Sequence, residues 1–227
     1  MRILVLTPIE NEFDSLTQAL EKLGLDSRER SAGILSCRSY LGGNLVVAPG
    51  GLGKAQFGIQ TQHAIDSLPD VDLIVCAGTA GGLRDGLGIG DVVVATETVE
   101  HDFKWGMKSK PLPRFPGAQA AIAALETNLP TTERHFSLHF GIVASGDEGI
   151  ADSKRAHELQ RDTDAIAVAW EGAGGARAAS FSNLPFLEIR GISDGAGDEA
   201  PSEFESNLPH AMRNVAVIVL SLAHLGR

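Results

Sequence analysis

Apolar and polar positions along this chain switch repeatedly between a strand period and a helix period. Residues 2–6 are a strand-like apolar run. Thr7-Pro8-Ile9-Glu10 then reads as an N-cap, a proline at the first helical position and a glutamate at the third, a capping-box arrangement. It predicts a helix to about Leu23, stopped by Gly24. At about 100° per residue, Ile9, Phe13, Leu16, Leu20 and Leu23 share one stripe, with Glu12 at its edge and Glu10, Asn11 and Asp14 pointing away. Residues 33–40 and 44–49 predict a hairpin around Gly42-Gly43-Asn44, and GGLGK opens a helix over 53–68. DLIVCAG (72–78) is a buried strand that ends in the glycine-rich turn GTAGGL, and GLGIGD (86–91) leads into the strand DVVVATETVE. Residues 103–116 are irregular, basic and aromatic, a loop suited to lidding a site or meeting a second subunit. A helix over 117–128 and a strand over 136–144 lead to the polar turn SGDEGI, and a last helix covers 209–225 with Pro209 near its start.

The chain is organised around residues 165–194, which read as strand, helix, strand: AIAVAW, then a Gly/Ala/Ser-rich helix over 172–180, then FLEIRGI after Pro185. Small residues let that helix lie close on a sheet. In an open α/β sheet, ligands bind at the carboxyl ends of strands. Glu171 ends the first of these strands and Asp194 the second, so neighbouring strands deliver two carboxyls to one place. Each acid also has a plain structural use, Glu171 at a helix N-terminus and Asp194 in a turn. Glu12, one turn from the end of the first strand and against the core, is a third candidate, or a snorkelling edge residue.

Composition narrows the classes. With 227 residues the chain is read as one domain over 1–227, and its formal net charge of −10 argues against nucleic acid or an anionic membrane as partner. Cys37 and Cys76, both in apolar runs, read as buried thiols of a reducing compartment. No signal peptide is evident, and VAVIVLSLAHL is too short to span a bilayer, so the expectation is a soluble cytoplasmic protein. GGLGK is not a P-loop, since Lys54 is followed by Ala and the first glycine is missing; GLGIGD lacks the spacing and following helix of a dinucleotide fingerprint. The seven histidines lack metal-ligand spacing, His135 and His139 being four apart in a strand-like context. No Ser/His/Asp or Cys/His arrangement is legible, which leaves carboxylate chemistry.

Seven segments in order resemble the nucleoside phosphorylase/nucleosidase superfamily: IENE, GLGK, AGTAGGL with GIGDVVV, His101-Asp102, VASGD, VAWEG and ISD. Within it the chain is most similar to bacterial 5′-methylthioadenosine/S-adenosylhomocysteine nucleosidases. The resemblance implies a three-layer α/β/α sandwich with a central mixed β-sheet, a homodimer, a purine nucleoside substrate, and neither metal nor cofactor. It implies that Glu12 activates the attacking water, that Glu171 binds the ribose hydroxyls, and that Asp194 protonates purine N7 with Ser193 orienting it. Thr79 falls near the ribose and Leu52 at the 5′ substituent; Trp170, Gly81 and Ile150 complete the implied substrate contacts. N-ribosyl cleavage passes through an oxocarbenium-like state, so it needs a proton for the leaving base and a base for water.

The chain also departs from that pattern. Val168-Ala169-Trp170-Glu171 stands where those nucleosidases have VEME, so Trp170 replaces a methionine, and Gly149 stands where an aromatic stacks on adenine. Phe103, Trp105 or Trp170 are the rings available to replace it. LIVCA lacks the arginine of the superfamily's phosphorylases, which favours water over phosphate as acceptor. Asp194, where members acting on 6-oxo purines tend to carry Asn, favours a 6-amino purine. Futalosine hydrolase, with segments like VAWEG and FLEIRG, is the next reading, followed by a phosphorylase and by a non-catalytic nucleoside-binding homologue.

Overall fold

The computed structural model describes residues 1–104, 106, 110–129 and 135–225. Its sheet is built outward from β1 (Ile3–Thr7), an entirely buried strand. On one side β1 pairs in parallel with β4 (Leu45–Pro49), beyond which β3 (Leu35–Tyr40) and β2 (Arg28–Ala32) continue antiparallel to the edge. On the other side it pairs in parallel with β5 (Leu73–Gly82). β5 pairs in parallel with β10 (Phe186–Asp194), and its last residues, Gly81 and Gly82, pair antiparallel with β9 (Ala167–Ala169). β10 runs antiparallel to β6 (Val92–Glu100), which is parallel to β8 (Leu138–Ser145), itself parallel to β9. β7 (Arg114–Pro116) hangs on the outside of β6.

These pairings close a ring, β5–β10–β6–β8–β9 and back to β5. The strands that end near Glu171 and at Asp194 are therefore not direct neighbours, as the sequence reading had them. Both flank β5 instead, and both register on Gly81: Val168 from β9 and Asp194 from β10.

Helices cover both faces, giving the expected three layers. α1 (Glu10–Lys22), α3 (Gln119–Asn128) and α6 (Ala200–Leu225) share one core with Val75, Leu16, Leu20, Ile189, Met212 and Val219. α2 (Gly53–Ser67) and α5 (Gly172–Phe181) close the other face around Leu4, Phe57, Ile74, Ala176 and Phe186. α4 (Ser153–Thr163), capped by Asp152 through Arg155 N–H at 2.8 Å, covers a smaller cluster containing Leu159 and Val168.

Three local expectations are corrected. Thr7 does not cap α1; it stays in β1, paired opposite Pro49, and Ile9 is the cap residue. The reciprocal acid of the cap is Glu12, which accepts from Ile9 N–H at 3.4 Å, while Glu10 is exposed. GTAGG is not a turn but the end of β5. Its glycines are spaces rather than bends: a Cβ at Gly78 would stand 2.6 Å from Arg190 Nη1, and one at Gly81 2.8 Å from Asp194 Oδ1. α6 begins at Ala200, so Pro209 lies inside it. A mid-helix proline costs about 3 kcal/mol; burial of Leu208, Ala211, Met212, Val215 and Val219 on that helix offsets it. At 26 residues α6 is long and apolar enough to cross a membrane, contrary to the shorter segment read from sequence. It packs as a core helix against α1, α3 and β10.

Candidate active site

The carboxyl ends of β1, β5, β9 and β10 open into a cavity of about 470 Å³. Glu12, Leu52, Thr79, Gly81, Ile150, Trp170, Glu171, Ser193 and Asp194, the residues singled out from sequence, all line it.

Glu12 reaches the cavity because α1 starts directly after β1, and the helix's first turn turns its third residue inward. It is 3 % exposed. Its Oε1 accepts from the Thr79 backbone N–H at 2.6 Å and from the Thr79 hydroxyl at 2.7 Å. Thr79 thus spends both donors on Glu12, so in this state it fixes that carboxyl. Burial pushes the Glu12 carboxyl up to about 7; Arg190 and the Thr79 donors oppose this and Glu171 adds to it. A carboxyl balanced there can be ionised, and so basic, at neutral pH.

Glu171 is the cap residue of α5. Its Oε1 accepts from Gly53 N–H at 3.2 Å, and its Oε2 meets Arg190 Nη2 at 3.3 Å. Burial raises its pKa, with Arg190 opposing. Asp194 ends β10, where its Oδ1 accepts from Ala196 N–H at 2.9 Å and its Oδ2 from the Ser193 hydroxyl at 2.8 Å. Ser193 Oγ also stands 3.4 Å from the Ala80 carbonyl. That second acceptor lets the hydroxyl turn away when Asp194 carries a proton. Burial favours that proton, raising the Asp194 pKa against its two donors.

Trp170 lines the cavity with its indole edge over Gly149: a Cβ there would stand 3.6 Å from Trp170 Cζ2. The ring from VAWEG therefore lies in ordinary van der Waals range of where a side chain at position 149 would begin. Phe103 is not among the cavity-lining residues; its ring lies 5.6 Å from the Arg177 guanidinium. Trp105 and part of the 103–116 loop fall outside the described residues.

Sequence reasoning missed Arg190, which is fully buried and lines the cavity. Its signal was present: Glu188 and Arg190 are charges two apart within the apolar run FLEIRGI, hence on one face of a buried strand. It also missed the α6 contribution, Ala200, Pro201 and Phe204, because the helix starts earlier than its apolar pattern does. Lys54 of GLGK and Asp102 of His101-Asp102 tie together the segments beside the site. Lys54 Nζ binds Glu100 at 2.9 Å and also Asp102, while Asp102 accepts from Asp147 N–H and Asp147 accepts from Lys54 N–H. Among the described residues no cluster of His, Cys, Asp and Glu is placed to hold a metal.

The family model described as Phosphorylase superfamily matches residues 2–224. A 5′-methylthioadenosine/S-adenosylhomocysteine nucleosidase of Exiguobacterium sp. is 34 % identical over 195 residues, covering 81 % of this chain and 82 % of its own. The nucleosidase of that name from Colwellia psychrerythraea, solved in complex with adenine, superposes with a TM-score of 0.86 at 27 % identity, over 99 % of this chain and 95 % of its own. Futalosine hydrolase of Helicobacter pylori superposes with a TM-score of 0.85 at 26 % identity, over 99 % and 97 %. A match running almost end to end, with relatives at this level of identity, makes the chain a member of the phosphorylase superfamily, akin to its 5′-methylthioadenosine/S-adenosylhomocysteine nucleosidases.

Proposed function

We propose that this protein hydrolyses the N-glycosidic bond of a 6-aminopurine nucleoside such as 5′-methylthioadenosine or S-adenosylhomocysteine. The observation that carries this reading is two buried carboxyls on one cavity, both raised by burial: Glu12, held by the two Thr79 donors, to about 7, and Asp194, beside the Ser193 hydroxyl at the end of β10, upward from its ordinary range. In the reaction Glu12 takes a proton from water as its oxygen bonds to C1′. The C1′–N9 bond breaks with its electron pair going to the purine, and Asp194 gives its proton to N7. Free base and the ribose hydrolysis product leave. Glu171 accepts from the ribose hydroxyls, and positive charge developing on the sugar ring is favoured by the surrounding acids.

Water is the acceptor on this reading. The one guanidinium among the lining residues, Arg190, is already engaged by Glu171 and Glu188, and the Glu148 and Glu171 carboxylates would repel a phosphate dianion. Trp170, set over Gly149, supplies the flat apolar surface for the base. Cleavage of a 6-oxo nucleoside such as futalosine is the second reading, favoured by the missing side chain at Gly149. The protein acts as a homodimer on this view.

A panel of methylthioadenosine, S-adenosylhomocysteine, adenosine, inosine and futalosine, with and without phosphate, tests it through release of free base. Phosphate-independent release with a higher kcat/KM for the 6-amino substrates is expected. Preference for a 6-oxo substrate would overturn the substrate assignment, and strict dependence on phosphate the hydrolase.

A further inference from the structure

One buried carboxylate near the site has no part in the reaction as written. Glu188 is wholly buried on β10 and is not among the cavity-lining residues. Its Oε1 accepts from Arg190 Nε at 2.8 Å, and its Oε2 from the Thr98 hydroxyl of β6 at 2.6 Å. The fold makes room for it: a Cβ at Gly172 would stand 2.1 Å from Glu188 Oε2. Arg190 then spends three of its four remaining donors on the Thr79 carbonyl at 3.2 Å, Cys76 Sγ at 3.3 Å and Glu171 at 3.3 Å.

We propose that Glu188 is a positioning residue for the carboxyl pair Glu12 and Glu171, holding Arg190 from behind and balancing part of its charge. The groups facing one another here are Glu12 from α1, Cys76 from β5, Glu171 at the start of α5, and Glu188 and Arg190 from β10. Three carboxyls therefore share one guanidinium, and the Cys76 thiol, whose pKa burial raises well above the ordinary range, stays neutral beside them. In a buried group so composed the acids cannot all ionise cheaply. Were Glu188 uncharged, the guanidinium would be free to hold both cavity acids as anions. With Glu188 in place, Glu12 competes for what remains of that charge and so retains a proton into the neutral range. The geometry fixes direction as well: a planar fork gripped at Nε presents its Nη2 edge to Glu171 in one orientation.

The inference builds on the proposed hydrolase but is read without turnover. Carboxyl 13C shifts of labelled glutamate, with Glu12 assigned by Glu12→Gln, are titrated in the parent chain and in Glu188→Gln and Glu188→Asp. Glu188→Gln should move the Glu12 midpoint down by about one pH unit, the size of one nearby charge. Glu188→Asp, which keeps the charge, should stay near the parent. The break in kcat/KM that coincides with the Glu12 midpoint should move with it. An unmoved midpoint in folded Glu188→Gln, or an equal shift in Glu188→Asp, overturns the proposal. If Glu188→Gln does not fold, Thr98→Val decides. Losing that hydroxyl removes one of the two grips on Glu188 and loosens its hold on Arg190, so the Glu12 midpoint should fall by a smaller amount, and no movement overturns the idea. A shifted midpoint in a protein that cleaves no nucleoside would leave the charge balance standing and sink the hydrolase instead.

Discussion

At the scale of single residues, Glu12 ties stability and chemistry together. Its folded pKa of about 7 lies above its ordinary 4.5, so the folded chain binds the extra proton between those values. Stability is therefore lost as pH rises from about 4.5 to 7 and levels off above, by up to roughly 3 kcal/mol for one such shift. Glu171 and Asp194, both shifted upward by burial, add slope of the same sign. Glu12→Gln should flatten this decline: against the parent, its melting temperature should gain more at pH 8 than at pH 5, which calorimetry at the two values checks. The same variant should stay folded and lose about 10²–10⁴-fold in kcat. Asp194→Asn should fold and lose turnover to a similar degree, because an amide can bond to N7 but has no acidic proton to give. Full turnover in either variant would remove that residue from the mechanism. Trp170→Ala should act mainly on KM for an adenine nucleoside, a ring stack being worth about 0.5–1.5 kcal/mol beyond its burial. The acids were legible in sequence because Glu171 and Asp194 stand where apolar strands stop and Glu12 sits at the edge of an apolar helix stripe one turn beyond another such strand. Arg190 left a mark too, as one of two charges in the apolar run FLEIRGI, but its partners Glu171 and Thr79 come from distant segments and only the fold brings them to it.

Among the elements, α2 and α5 pack closely on each other, and the residues that precede them, Leu52 and Glu171, line the cavity. Gly174 on α5 faces the start of α2 so closely that a Cβ would stand 2.1 Å from the Lys54 carbonyl, and Gly58 in turn would meet Gly174 at 3.2 Å. This spacing lets Gly53 N–H reach Glu171. Two effects oppose each other in Gly174→Ala. Helix propensity gains about 1 kcal/mol, but the added methyl meets backbone, which cannot swing aside, and overpacking typically costs about 1–3 kcal/mol, more when backbone must move. The clash should win, lowering the melting temperature by a few degrees, at about 2–4 °C per kcal/mol for a chain this size. Since the displaced turn carries Leu52 and the Gly53 donor, KM should rise more than kcat falls. A stabilised Gly174→Ala with unchanged KM would mean that the crossing is looser than this. The sequence supports part of this picture. Small residues predict close packing of α5, and the strands and helices of the core follow from periodicity. β2 was invisible because its run RERSA is largely exposed and polar, and the start of α6 because its first turns carry few apolar positions.

For the whole molecule, the closed ring of strands is what no local pattern could reveal, since β5 meets β9 and β10 across separations of about ninety and over a hundred residues. The outer surface poses the remaining question. Phe181 is 81 % exposed and Ile59 71 %, and they sit on α5 and α2, helices that pack on each other. Leu52, at the N-terminal end of α2 and on the cavity wall, is also exposed. Single exposed apolar residues are ordinary; large ones on two adjoining helices are the composition of an interface core. A second copy suits the homodimer reading, because its cover would shield the mouth as well as these side chains. Sedimentation at micromolar concentration should then give twice the chain mass. Ile59→Asp with Phe181→Asp should give the single mass, since two desolvated carboxylates would face each other across any two-fold axis. Neither residue is among the cavity-lining residues, so folding should persist while KM rises through loss of the cover near Leu52. A parent chain that sediments as a monomer, or a double variant that remains dimeric, would show that these helices face solvent in the working protein.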